Sequence, residues 1–157
     1  KKLFENPKIL IRQTANKILA SYDEDKWYCL KSGLIVQLPD ESEIKYFYLL
    51  ALLNSKLMDF LYHDLVDEDN RIFPEVKPIQ LFKLPICKAS SKEQTKIESL
   101  VTKIIEAKKK DPAADTGKWE KEIDEMVFHL YQLTYDEVLI VDPNFNKSRK
   151  EYEESGK

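Results

Sequence analysis

The chain has 157 residues, 43% of them apolar, with seven Phe, eight Tyr and two Trp, which suits one domain of ordinary size or a domain with a helical extension. No apolar run approaches the ~20 residues of a membrane-spanning helix, and Cys29 and Cys87 have no second Cys or His at metal-ligand spacing. We therefore expect no membrane segment, disulfide framework or metal site, and a reducing, cytoplasmic setting. Because the first residue is Lys1 rather than Met, we also expect a piece of a longer protein.

Charge is distributed in blocks along the chain. The net charge is −3. Residues 1–38 nevertheless carry seven basic and four acidic residues, and residues 71–110 carry ten basic and four acidic residues. Residues 39–70 carry two basic and eight acidic residues, and residues 111–157 carry six basic and twelve acidic residues. This pattern allows a basic face on an acidic protein. Solvated surfaces without a partner would give the same pattern, and the net charge alone argues mildly against nucleic acid.

The first part of the chain has the pattern of short strands separated by turns. Four runs rich in apolar and β-branched residues alternate with polar or charged breaks: residues 9–11, 17–20, 27–30 and 34–38. Runs of this length and spacing predict a small, mostly antiparallel sheet.

A helix and two extended segments follow. Cap-type and acidic residues at 40–42 mark a helix start, and apolar residues then recur at steps of three and four. This predicts one amphipathic helix over about 43–63 that packs against the sheet. Two prolines predict an extended loop over 71–78, and residues 79–86 are predicted to continue as an extended segment.

The pattern becomes helical again after residue 90. Apolar stripes over 91–110 and about 118–133 predict two helices, and the short link between them predicts an antiparallel hairpin. A short third helix is predicted to end near residue 140. Two pairs have the spacing of capping boxes at helix starts: Ser90 with Glu93, and Thr134 with Glu137.

Together these elements predict an α+β fold, with a small, mostly antiparallel sheet packed on one amphipathic helix and followed by a C-terminal helical hairpin. We expect an α+β domain at residues 1–88 and a helical arm at 89–142. The polar residues 143–157 predict a poorly ordered tail.

The chain offers no catalytic constellation. Three scattered glycines cannot form a phosphate-binding loop. His63 and His129 lie on predicted helices without a nearby Ser, Cys or ligand residue, and the acidic run at 120–125 reads as the polar face of a helix. A stand-alone enzyme is therefore not expected.

Several segments, taken in order, carry a resemblance to a known family. They are PKILIRQT (7–14), YCL (28–30), LLALLNSKL (49–57), RIFPEVK (71–77) and LPI (84–86). The set resembles the TaqI-like C-terminal specificity domain, and is similar to one target-recognition half of a type I specificity subunit. EIDEMVFHLYQLT (122–134) resembles the segment that follows this domain, so the resemblance covers about residues 5–142.

The resemblance implies a division of labour within a larger enzyme. Such domains follow an adenine-specific methyltransferase domain in type IIG restriction–modification enzymes. That N-terminal domain of the same chain would bind S-adenosylmethionine, and this part would have no cofactor and no catalytic residue. The implied partner is double-stranded DNA, and the implied setting is the cytoplasm of a bacterium or archaeon, without a membrane.

The loop after the first strand holds the first candidate readers of DNA. Arg bonds guanine at two points and Gln does so with adenine, each pair contributing about 1–3 kcal/mol of discrimination. A loop supported by a rigid sheet would present such side chains in a defined geometry. The candidates here are Arg12, Gln13, Thr14, Asn16 and Lys17.

The proline-containing loop holds the second group. Prolines stiffen the backbone and lower the entropy cost of presenting a cation to DNA. Arg71 and Lys77 are the candidate contacts, and Phe73 is expected to anchor the loop in the core. Weaker candidates for phosphate contacts are Lys31, Gln80 and Lys83.

A different class of function stays open. The chain could be a protein-interaction module in which the sheet is a scaffold and the helical hairpin a docking arm. The net negative charge favours this alternative.

Overall fold

The computed structural model describes residues 2–29, 32–66 and 75–156. Within these ranges lie three strands and eight helices, and the predicted α+β class with C-terminal helices is confirmed. In chain order they are α1 (Lys2–Glu5), β1 (Lys8–Arg12), β2 (Ala20–Asp23), β3 (Gly33–Val36), α2 (Tyr46–Asn54), α3 (Lys56–Leu65), α4 (Pro78–Leu81), α5 (Ser91–Lys110), α6 (Gly117–Leu130), α7 (Tyr135–Val141) and α8 (Arg149–Ser155).

The sheet has the order β2-β1-β3, and both outer strands run antiparallel to β1. Side chains alternate between the two faces of a strand. Ile9 and Ile11 are therefore buried on the face that α2 covers, whereas Leu10 and Arg12 lie on the other face. The last residue of β1 is thus held in a sheet but directed away from the core.

A buried ion pair joins β1 to β2. Lys8 pairs with Asp23, both side chains are buried, and Lys8 Nζ also donates to the carbonyl of Phe4 at 2.7 Å. The Asp23 carboxylate accepts from the backbone N–H of Asp25 (2.9 Å) and of Trp27 (3.0 Å). These bonds turn the chain sharply at the end of β2.

Two predicted strands are displaced or absent. A strand was predicted at 17–20, but β2 begins only at Ala20, the last residue of that range. A strand was also predicted at 27–30, and this is wrong for residues 27–29, which form no strand; residue 30 lies outside the described residues. The turn around the Asp23 carboxylate explains this, because it diverts the backbone from a ladder.

The single helix predicted over 43–63 is two helices, α2 and α3, divided at Ser55. Ser55 has an extended backbone, with φ −72° and ψ 153°. Its hydroxyl donates to the carbonyl of Leu52 at 2.7 Å and accepts from the N–H of Met58 at 3.3 Å, so one side chain completes the end of α2 and caps α3. The apolar spacing continues across the break, which is why the spacing predicted one helix.

The extended segment predicted at 79–86 is also wrong in its first half. Pro78 occupies the first turn of α4, where a missing N–H costs nothing. The chain then turns, and Leu84 is buried.

The C-terminal helices follow the prediction closely. α5 and α6 contact each other as a hairpin, α5 packs on α2, and α6 packs on α3. Both predicted capping boxes are present, at the starts of α5 and α7. One hydrophobic core runs through both the sheet region and the hairpin. The division into a domain at residues 1–88 and a helical arm at 89–142 stays a prediction.

The expectation of a poorly ordered tail is wrong. Residues 149–155 form α8, which has its own capping box between Ser148 and Glu151. Tyr152 is buried, stacks on His129 with ring centroids 4.2 Å apart, and donates to the carbonyl of Leu133 at 2.8 Å. One buried aromatic residue thus attaches this polar segment to α6.

Candidate nucleic-acid interface

The loop after β1 is held by backbone hydrogen bonds on both sides. The N–H of Arg12 donates to the carbonyl of Leu19, and the N–H of Gln13 donates to the carbonyl of Ser32, both at 3.0 Å. These bonds extend the sheet pairing past the end of β1. The side chain of Arg12 is exposed on this fixed backbone.

A segment distant in sequence pairs with the same loop. Thr14 and Glu75 form an antiparallel bridge, and the N–H of Val76 donates to the carbonyl of Gln13 at 2.7 Å. Val76 is buried, and the N–H of Lys77 donates to Tyr62 Oη at 2.9 Å. The structure therefore brings together parts of the two groups of candidate residues that sequence reasoning selected separately.

The candidate residues differ in exposure and position. Arg12, Thr14, Asn16 and Lys17 are exposed, and Gln13, Lys77 and Gln80 are partly buried. Lys31, Arg71 and Phe73 lie outside the described residues.

Two of the candidates border different concavities. Arg12 lines a shallow recess of about 340 Å³ with Leu10, Ser21 and Gly33 on the outer face of the sheet. Lys17 lines a cleft of about 450 Å³ between β2, α2, α5 and α6. The loop at residues 12–17 thus borders two surfaces rather than one.

The Gln80 side chain does not offer its oxygen to solvent. Oε1 is enclosed, and among the described residues it has no hydrogen-bond partner. An enclosed acceptor cannot bond a base edge without a change of rotamer. Gln80 is therefore a weaker contact in this geometry than Arg12 or Thr14.

Asn54 fixes the loop to α2, a role that sequence reasoning missed. Its Oδ1 accepts from the N–H of Ala20 at 2.9 Å, and its Nδ2 donates to the carbonyl of the same residue at 3.0 Å. Together with the capping by Ser55, this explains the Asn-Ser pair within the segment LLALLNSKL. An amide followed by a cap residue at the end of an apolar helix was the available signal.

Three tyrosines fix the chain between residues 75 and 87. Besides the bond from Lys77 to Tyr62, Tyr48 Oη donates to the carbonyl of Cys87 at 2.8 Å. Tyr131 Oη donates to the carbonyl of Pro85 at 2.6 Å and accepts from the N–H of Cys87 at 2.9 Å. Burial raises the pKa of the Tyr48 and Tyr131 phenols, so both keep their proton as donors.

Asp124 lines the cleft beside Lys17, and both it and the neighbouring Asp142 have structural partners. The N–H of Lys56 donates to Asp124 Oδ1 at 2.9 Å, and Lys56 Nζ pairs with Asp142 Oδ2 at 2.6 Å. Burial raises the pKa of Asp124 to about 6. No group of three potential metal ligands occurs within the described residues.

His129 has a serine neighbour, contrary to the sequence expectation. Its Nε2 lies 3.0 Å from Ser155 Oγ, which α8 brings into place. Ser155 Oγ donates to Glu125 Oε1 at 2.6 Å, and that oxygen is 4.0 Å from Nε2 and is paired with Lys147. A catalytic triad needs the acid on the other ring nitrogen, so this cluster serves to attach α8. Burial lowers the pKa of His129.

Among the helices the structure describes, none is both long and apolar enough to span a membrane.

No curated protein shows significant similarity to the chain. Residues 1–86, more than half of the chain, match the family model of the TaqI-like C-terminal specificity domain. The match ends before α5, so the resemblance suggested for residues 122–134 stays a prediction. Specificity domains of this kind serve DNA target recognition in restriction–modification enzymes and are not themselves catalytic. The protein therefore belongs to the TaqI-like C-terminal specificity domain family.

Proposed function

We propose that the chain recognises a specific sequence in double-stranded DNA for a type IIG restriction–modification enzyme, in the cytoplasm of a bacterium or archaeon. The N-terminal catalytic domain of that enzyme would be an adenine-specific methyltransferase that binds S-adenosylmethionine. That domain would act on an adenine turned out of the stack. This chain would hold and read the surrounding duplex.

One observation carries the proposal: the antiparallel pairing of the loop at 12–14 with the segment at 75–76. It joins two groups of polar candidates on a backbone that is hydrogen-bonded on both sides. Because this backbone is already ordered, binding does not have to order it, and only the side chains lose conformational entropy.

Arg12 is the proposed principal reader. Its exposed guanidinium extends from the end of the central strand, where a bidentate bond to guanine O6 and N7 is feasible in the major groove. Gln13 and Thr14 follow on the loop and would extend the contact to neighbouring bases. Asn16 and Lys17 would contact the same duplex farther along the loop.

Cations around this surface would contact phosphates. Lys77 follows the paired segment directly, and its backbone is fixed by Tyr62. Lys77→Ala is expected to weaken binding to all sequences equally and to reduce the salt dependence of binding. Lys31, Arg71 and Gln80 remain further proposed contacts.

Selection from a random pool of duplexes tests the proposal. The wild-type chain should enrich a defined sequence, and Arg12→Ala should lose preference at one position, with a cost of about 1–3 kcal/mol for the preferred base. Arg149→Ala is the matched control, because it removes the same charge from α8, where Arg149 pairs with Asp136. Enrichment of the same sequence by Arg12→Ala would exclude Arg12 as a reader, and no enrichment by the wild type would contradict the proposal.

One observation favours the alternative of a protein-docking module. Trp27 and Tyr28 are 68% and 61% exposed, and Tyr28 stacks on Phe4 of α1 with ring centroids 4.7 Å apart. Exposed aromatic residues are frequent anchors of protein interfaces. This alternative predicts no salt-dependent binding to duplex DNA, and loss of binding to the linked catalytic domain in Trp27→Ala.

A further inference from the structure

The short helix α4 and its C-cap residue, Phe82, present two large apolar side chains to solvent. Ile79 is 63% exposed and Phe82 is 86% exposed, the largest value among the exposed large apolar residues that the structure describes. They are three residues apart and therefore lie on the same side of one helical turn. Single exposed apolar residues are common on protein surfaces, whereas adjacent exposed apolar residues more often mark a binding surface.

The support beneath these side chains is rigid. The N–H of Phe82 donates to the carbonyl of Pro78 at 3.1 Å, and the N–H of Leu84 donates to that of Leu81 at 3.2 Å. Leu81 packs against the hydrophobic core and Leu84 is buried. Phe82 is thus held outward by neighbours that point inward.

The surroundings of this apolar pair favour DNA over protein. Lys77 precedes α4 and Lys83 follows Phe82, and the segment that leads into α4 pairs with Thr14. The centres of protein interfaces are depleted of charged residues. Lys83 is exposed next to Phe82, and a cation beside a small apolar surface suits a groove that is edged by phosphates.

The apolar group that a major groove displays is the C5-methyl of thymine, and Phe is among the side chains that contact it. We propose that Phe82, supported by Ile79, contacts thymine methyl groups next to the bases read by the loop at residues 12–14. This inference rests on the proposed function and adds a mode of readout that needs no hydrogen bond.

Replacement of thymine by uracil removes the methyl group and leaves base pairing unchanged. The duplex enriched by the wild-type chain is therefore prepared with thymine and with uracil. The affinity of the chain for each form is measured, together with its affinity for a scrambled duplex. The wild type should bind the uracil form about fourfold more weakly for each methyl group contacted. Phe82→Ala should bind both forms equally, with an unchanged salt dependence because no charge is removed.

Ile140→Ala is the matched control, since Ile140 is 64% exposed on α7 and should retain the difference between the two duplexes. Phe82→Leu is a second variant that keeps an apolar side chain and should retain part of the difference. Far-UV circular dichroism of each variant checks that the chain is folded.

Equal affinity of the wild type for both forms, or a full difference in folded Phe82→Ala, would overturn the inference. The proposed function would then stand if the selected duplex still outcompeted the scrambled one. Absence of any enriched sequence would overturn both. Loss of binding to the linked catalytic domain in Phe82→Ala, with the difference between duplexes intact, would assign this surface to a protein partner instead.

Discussion

The junction between α3 and α6 gives a prediction whose sign and size follow from one carboxyl group. Asp124 accepts a hydrogen bond from the N–H of Lys56 at the first turn of α3. Burial is the main cause that raises its pKa from 3.8 to about 6, and the hydrogen bond and charge of Lys56 oppose the rise. Compared with the unfolded chain, the folded protein therefore favours the protonated form of the Asp124 carboxyl group.

The rise in pKa corresponds to about 3 kcal/mol between the two protonation states. Because the folded-state pKa is the higher one, this stabilisation is fully present below about pH 4 and is lost as the pH rises through about 6. Asn at position 124 keeps an oxygen acceptor for Lys56 but cannot ionise. The free energy of unfolding of Asp124→Asn, relative to wild type, should therefore rise by up to about 3 kcal/mol between pH 4 and pH 8. This is an upper limit because the cleft beside Asp124 is open to solvent.

Urea denaturation followed by circular dichroism at several pH values measures this difference. Asp115→Asn is the matched control, because Asp115 is an exposed carboxyl that also accepts a backbone N–H, from Gly117 at 2.9 Å. The comparison separates the loss of a buried carboxyl group from the loss of an exposed one. A difference for Asp124→Asn that stays constant, or that falls as the pH rises, would refute the reasoning.

Three further substitutions test the packing that positions the candidate interface. Asn54→Ala removes bonds to both backbone groups of the first residue of β2 and should cost about 1–3 kcal/mol, with faster amide exchange at that residue. Ser90→Ala removes a capping box and should cost about 1 kcal/mol in urea denaturation, whereas Ser91→Ala should be nearly neutral. Lys8→Met leaves Asp23 buried without its cation and should cost about 3–5 kcal/mol, and a melting temperature equal to that of wild type would contradict this.

Local signals in the sequence were sufficient for α5, α6 and α7. The start of α5 depends on Ser90 and Glu93, which are close enough in sequence to bond each other wherever the helix packs. Ser148 and Glu151 form a capping box of the same kind, so the order of the tail could have been inferred in part. What places α8 is the burial of Tyr152, which depends on α6 and had no local signal.

The division at Ser55 was not visible in the apolar spacing. Spacing reports which residues are buried, and buried apolar residues continue on either side of the break, over 48–53 in α2 and at Leu57 and Met58 in α3. The hydroxyl of Ser55 decides the break by bonding backbone groups of both helices. In α4, a proline that predicted extended structure instead occupies the one helical position that suits it.

By itself the sequence determined the α+β class, the capped helices and, through an ordered set of segments, the family. It also suggested the two groups of polar candidates. Only the tertiary structure decided that the loop at 12–14 pairs with the segment at 75–76, and that Phe82 lies outward while Leu84 lies inward. The physical reason is that periodicity and capping act between near neighbours in the chain, whereas strand pairing and exposure depend on residues far apart in sequence.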